Sequence, residues 1–296
     1  MQIWGLIDKK MEEFEKIPRN RKIEIMGIVN ITGNSYIPAS RCLGPDGKTD
    51  VGAAMARIEK LLGEGAGIID IGACSTGPGV PPAGEETEWE RLKPLMEEIV
   101  RNMPGLKFSV DTYRASVAEK VFDLAGSFIV NDISAGEADP RMLPTVGRLG
   151  LPYVAMHMRG DSMTMQTLTD YGKEGKDGLS PVTSAVRDYF LAFAEKAEKF
   201  GISDWILDPG FGFAKTVEQN YRLLDEMASL RMPGHKTLVG ISRKSMIYRK
   251  FGISPEEALP ETQVLHFAAL QRGADILRVH DAAEAARTVE LYASIG

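Results

Sequence analysis

The chain has 296 residues, 44% of them hydrophobic, which is enough to bury one sizeable core, and α/β barrels of this length commonly form a single domain. A net charge of −6 and a pI near 5.4 argue against general affinity for nucleic acid or anionic membrane and leave room only for a local basic pocket. No apolar run is long enough to span a bilayer, the N-terminus lacks a signal-peptide layout, and the two cysteines, Cys42 and Cys74, are too few for a disulfide scaffold, so a soluble cytoplasmic protein with two free thiols is expected.

In chain order, Trp4, Ile7, Met11 and Phe14 recur at three- to four-residue spacing and predict an amphipathic helix closed by Pro18. This extension, residues 1–22, is expected to cover the bottom of a barrel formed by residues 23–296. Short β-branched or apolar runs then alternate with longer segments of helical period, the pattern of parallel strands joined by helices. Strands are predicted at 23–30, 67–72, 106–111, 127–132, 152–157, 204–208, 236–241 and 275–280. Helices are predicted at 51–65, 85–102, 113–124, 140–149, 181–200, 217–230, 256–272 and 282–294. Eight such pairs make an α/β fold of the (β/α)8 TIM-barrel type, in which the longer connections at 32–50, 73–84 and 158–180 should all emerge on the catalytic face.

The polar residues fall where such a barrel would use them. Asn30, Asp111, Asn131, His157, Asp208, Lys244 and Arg278 all lie at or just beyond predicted strand ends, positions that converge on one pocket. Each alone has a plainer explanation, since Asp and Asn cap helices and make turns. Together, Asp111, Asn131 and Asp208 would offer two carboxylates and an amide to a flat heterocycle with an amino-pyrimidinone edge. Strand alternation sends Arg278 and His280 to the same side, predicting a shared cationic face, and Arg243 and Lys244 add charge after strand seven, in a region where barrels often bind phosphate. A Schiff-base role for Lys244 is an alternative that the neighbouring arginines disfavour. His157 alone reads better as a hydrogen-bonded strand-end histidine than as a metal ligand, and Met156 and Met158 as core or as the wall of a ring pocket. Gly63, Gly65 and Gly67 precede a strand and so do not form a dinucleotide fingerprint.

The same residues carry a resemblance that runs over roughly residues 23–290. Ile25-Met26-Gly27-Ile28-Val29-Asn30-Ile31-Thr32, Ser109-Val110-Asp111-Thr112-Tyr113, Asn131-Asp132-Ile133-Ser134, Met156-His157-Met158-Arg159-Gly160, Leu207-Asp208-Pro209-Gly210-Phe211-Gly212-Phe213, Ser242-Arg243-Lys244-Ser245 and Arg278-Val279-His280-Asp281 resemble, in order, the motifs of the dihydropteroate synthase family. The resemblance implies condensation of 6-hydroxymethyl-dihydropterin pyrophosphate with p-aminobenzoate in folate synthesis. It places Asp111, Asn131, Asp208 and Lys244 on the pterin, and Asn30, Arg278 and His280 on the pyrophosphate with Mg²⁺, Asn30 being the metal position. Lys244 and Ser245 would receive p-aminobenzoate, while Met156, Phe213, Thr76 and Arg243 are carried over as further substrate-binding positions. A homodimer is a further implication. The chain departs from the family in two loops: Thr32-Gly33-Asn34-Ser35-Tyr36 stands for Thr-Pro-Asp-Ser-Phe, and Ser75-Thr76-Gly77-Pro78-Gly79 for Ser-Thr-Arg-Pro-Gly. Two alternatives stay open, a pterin-binding homologue without synthase activity and a pterin-dependent methyltransferase.

Overall fold

The computed structural model describes residues 17, 21–33, 41–75, 77 and 79–295, so the expected N-terminal helix lies almost wholly outside the described residues. Eight parallel strands, β1 (Glu24–Asn30), β2 (Ile68–Gly72), β3 (Phe108–Asp111), β4 (Ile129–Asp132), β5 (Tyr153–Met156), β6 (Trp205–Asp208), β7 (Lys236–Val239) and β8 (Ile276–Val279), pair in sequence order and close, β8 lying against β1. Around them, among the described residues, run α1 (Val51–Gly63), α2 (Glu85–Asn102), α3 (Ala115–Ala125), α4 (Met142–Leu149), α5 (Pro181–Lys199), α6 (Val217–Asp225), α7 (Ser245–Phe251), α8 (Leu259–Gln271) and α9 (Ala282–Ser294).

The starts and stops are local chemistry. Asp50 caps α1 by accepting from Ala53 N, Ser180 caps α5 ahead of Pro181, and Thr216 with Gln219 forms a capping box on α6. The fold differs from the sequence reading mainly at two helices. The segment read as one helix over 217–230 breaks at Asp225 into a 3-10 turn, Met227–Leu230. A seven-residue helix, α7, stands where none is predicted; it is too short to show a period and ends on Gly252, held at φ +65°.

Most buried apolar side chains lie between the barrel and its helices. One buried polar group in this layer is expected to make the fold sensitive to acid. His266 on α8 has no exposed surface; Nδ1 lies 3.2 Å from Gln263 Oε1 and Nε2 has no partner among the described residues. Burial, opposed by the charge of Asp281, lowers its imidazole to about 4. Below the ordinary imidazole value the unfolded chain takes up a proton that the folded chain refuses, so stability is lost as pH falls from about 6.5 to about 4. His266→Leu should therefore lose about 2–3 kcal/mol less than the parent between pH 7 and pH 4.5 in chemical denaturation. A variant as acid-sensitive as the parent would place the acid limb elsewhere.

Candidate active site

Alternation along the strands builds the site in layers. Met26, Ile68, Ile129, Val154, Ile206, Leu238 and Ile276 form an apolar cluster of their own inside the barrel. Two residues further along each strand, on the same face, stand Ile28, Asp70, Asn131, Met156, Asp208, Gly240 and Arg278. Strand β3 contributes Ser109 and then Asp111. An apolar plug is thus overlaid by a polar layer, and above that layer opens a cavity of about 430 Å³ at the C-terminal ends of the strands.

Asp70 lies at the floor with no exposed surface. Its Oδ1 accepts from Ser109 Oγ at 2.5 Å and from Asn131 Nδ2 at 3.2 Å, and its Oδ2 accepts from Arg278 Nε at 2.7 Å. Arg278 Nη2 also reaches Asp111 Oδ2 at 3.0 Å. Burial raises the Asp111 carboxyl to about 7, with Arg278 opposing the rise and Asp70 adding to it. Asp208 accepts from Gly210 N at 2.8 Å through Oδ1, and burial raises its carboxyl although Lys244 opposes. Lys244 donates to the Phe211 carbonyl at 2.6 Å and stands 4.6 Å from the centre of the Phe213 ring; burial lowers its ammonium to about 8. Among the described residues no ion pair within 4 Å joins Lys244 to Asp208, so opposite charges face the cavity without neutralising each other by contact.

The bend after β6 depends on a second lysine. Lys215, 5% exposed, donates to the carbonyls of Gly210 (2.9 Å) and Phe213 (3.0 Å) and lies 3.0 Å from His157 Nδ1. Burial lowers this ammonium to about 7 and, with the Lys215 charge, lowers His157 far below the ordinary imidazole value. A neutral His157 can accept at Nδ1 from Lys215, so the residue read as a strand-end hydrogen-bonding histidine anchors the loop. Gly210 itself adopts φ +70°, and a Cβ there would stand 2.0 Å from the His157 carbonyl oxygen. Gly210→Ala should cost about 2–4 kcal/mol of stability in chemical denaturation, combining left-handed strain with overlap onto backbone. An unshifted midpoint would mean that the His157 carbonyl yields freely.

The structure brings Asn30, Asp111, Asn131, Met156, Asp208, Phe213, Lys244, Ser245, Arg278 and His280 to one cavity, with Gly77 on its wall. Thr76 and Asn34 lie outside the described residues. Two electrostatic expectations need correction. Arg243 touches the cavity, but its guanidinium is turned onto Asp281 (Nε to Oδ2 2.7 Å, Nη2 to Oδ1 2.9 Å) and onto the carbonyls of Pro255 and Glu256. It braces the loop between β7 and α8 and is not a free anion site. His280 does not share a cationic face with Arg278: burial, reinforced by the Arg278 charge, lowers its imidazole to about 3, so the ring is neutral at neutral pH. Ser242 Oγ accepts from His280 N at 3.3 Å and lies 3.1 Å from Nδ1. If the Ser242 hydroxyl donates to Nδ1, the ring proton lies on Nε2. Sequence reasoning misses Asp70, Lys215 and Gln166, the last a cavity residue on the fifth connection. That connection is tied to the second one: Gly79 N donates to Ser162 O at 2.9 Å, and Ser162 Oγ to Val80 O at 3.2 Å.

A closed parallel barrel with a buried carboxylate, amide and cation layer beneath its open end defines the class, and the family comparison agrees: residues 26–280 match the family described as pterin binding enzyme, and the chain belongs to it. Its relatives include several dihydropteroate synthases. The chain is 35% identical to the dihydropteroate synthase of Synechocystis sp. over 88% of its own length and 86% of that protein. It is 37% identical to the folic acid synthesis protein fol1 of Pneumocystis carinii, again over 88% of its length, but spans only 34% of that longer protein. A solved dihydropteroate synthase of Xanthomonas albilineans with 4-aminobenzoic acid superposes with a TM-score of 0.78 at 33% identity, covering 94% of each chain.

Proposed function

We propose that this cavity joins 6-hydroxymethyl-7,8-dihydropterin pyrophosphate to p-aminobenzoate and releases pyrophosphate, the dihydropteroate synthase reaction of folate biosynthesis. The observation that carries the reading is the convergence of Asp111, Asn131 and Asp208 in one layer, with Arg278 and Lys244 beside them. The two carboxylates and the amide suit the donor-rich edge of a reduced pterin, while Met156, Phe213 and the apolar wall suit its faces. A ligand without that edge would leave buried polar groups unpaired and be rejected.

The reaction breaks the C–O bond between the exocyclic methylene and pyrophosphate and forms a C–N bond to the amine, which then loses a proton. The pterin ring spreads the positive charge that develops as the leaving group departs, so no protein nucleophile is needed. Arg278 keeps Nη1 free of protein partners among the described residues and can meet the departing oxygens. His280 meets them as a neutral Nε2–H donor. Lys244 and Ser245, at the start of α7, receive the acceptor carboxylate.

Mg²⁺ is part of the proposal. Among the described residues no group of three or more His, Cys, Asp or Glu forms a cage, whereas Asn30, whose side chain is a neutral amide, lines the cavity. That donor set fits an ion held chiefly by substrate phosphate oxygens, with Asn30 as its protein ligand. When bound, Mg²⁺ would neutralise charge on the pyrophosphate. A cytoplasmic location and a homodimer belong to the same reading; among the described residues no helix is long and apolar enough to cross a membrane.

The test is direct. Incubated with the pterin pyrophosphate, Mg²⁺ and p-aminobenzoate, the protein should yield pyrophosphate and dihydropteroate in equal amounts. Tight pterin binding with neither product would instead identify a binding protein.

A further inference from the structure

We propose that Asp70 is the positioning residue that sets which way the Asn131 amide faces, and through it the hydrogen-bonding polarity of the ring pocket. The inference deepens the pterin reading and rests on it for the ligand alone. Asp70 is buried beneath the cavity and does not line it, so it cannot act by touching substrate. The side-chain groups that meet its carboxylate are all donors: Ser109 Oγ, Asn131 Nδ2, and Nε and Nη2 of Arg278. A carboxylate with such neighbours only accepts. The Asn131 NH₂ must therefore face down onto Asp70, which leaves the amide oxygen as the group available to the cavity. Strand pairing fixes the arrangement, because Asp70 stands opposite Ser109 and Asp111 stands opposite Asn131 in adjacent ladders. The pocket thereby presents acceptors from Asn131 and Asp208 to a ring edge that carries donors.

The chain of contacts makes the consequence of one substitution determinate. In Asp70→Asn, Arg278 offers only donors, so the new amide must turn its oxygen toward Arg278. Its NH₂ then faces Ser109 and Asn131. Asn131 has to rotate to accept from it, and its own NH₂ swings into the cavity, where it opposes the ring donors. Adding Asn131→Asp repairs this: the carboxylate introduced on β4 accepts from the amide introduced on β2 below it and offers an acceptor above, with the total charge of the site restored.

The experiment measures affinity for 6-hydroxymethyl-7,8-dihydropterin without its pyrophosphate, so that changes in phosphate attraction do not enter, together with the side-chain NH₂ resonances of Asn131 in ¹⁵N spectra of the ligand-free protein. Asp70→Asn should weaken the pterin about 100-fold, and Asp70→Asn/Asn131→Asp should recover to within about 5-fold of the parent. Ser109→Ala, which removes a different contact to Asp70, should change affinity less than about 3-fold. In the parent the Asn131 NH₂ protons should exchange slowly with solvent, and in Asp70→Asn quickly. Should Asp70→Asn fail to fold, the pair of substitutions decides: tight pterin binding supports the relay and weak binding by a folded protein overturns it. Unchanged affinity and unchanged Asn131 exchange in Asp70→Asn would also overturn it. If the parent binds no pterin, the ligand assignment falls, while the Asn131 exchange rates still decide the role of Asp70.

Discussion

Asp208→Asn should weaken binding of the reduced pterin by about 2–4 kcal/mol while leaving the barrel folded. One carboxylate oxygen of Asp208 is already committed to the Gly210 N–H at 2.8 Å, the contact that shapes the bend after β6. An asparagine must keep its oxygen there, because an NH₂ facing an N–H would oppose two donors. The NH₂ would then point into the cavity, against the donors of the ring, and an acceptor would be lost in the same step. Calorimetry on the free hydroxymethyl pterin measures the loss. Unchanged affinity would remove Asp208, and with it the assigned ring orientation, from the site.

Arg278→Ala should separate two ligands that differ only in their phosphates. The pyrophosphate ester should lose about 100-fold in affinity, against about 10-fold or less for the free hydroxymethyl pterin, since only the ester offers an anion to the guanidinium. The same change strips Asp70 and Asp111 of the cation between them, and removal of one partner from a buried ionic group costs about 3–5 kcal/mol. Stability alone therefore cannot score the residue; the ratio of the two affinities does. Equal losses for ester and free pterin would make Arg278 a structural cation, present only to hold the carboxylates of β2 and β3.

Much of this arrangement is legible in the sequence. The strands are readable because each is a short apolar run, and all eight appear at their predicted places, each shortened by a residue or two. The site residues at strand ends are readable because polar groups there have few other uses in a barrel. Asp70 escapes because it sits in the middle of a strand, flanked by Ile69 and Ile71, and not at a strand end where a polar residue signals a pocket. Lys215 has the look of an ordinary loop lysine after Phe213-Ala214, and only the fold shows three acceptors closing on it. Arg243 and His280 mislead for another reason. Their sequence neighbours are right, but Arg243 finds Asp281 across the β7–β8 corner, and the charge on His280 is decided by a burial that no local pattern records.

The apolar plug beneath the polar layer has an evolutionary consequence. The floor of the ring pocket is fixed by strand side chains that belong to the barrel core, whereas the rim belongs to connections such as those carrying Gly33 and Gly77. Among the described residues, a Cβ on Gly33 would meet nothing nearer than Leu43 at 4.0 Å, so a side chain there leaves the described floor below undisturbed. Change at the rim is thereby decoupled from change at the floor. A substitution at the rim can therefore change how the acceptor amine is received without touching the side chains that hold the ring.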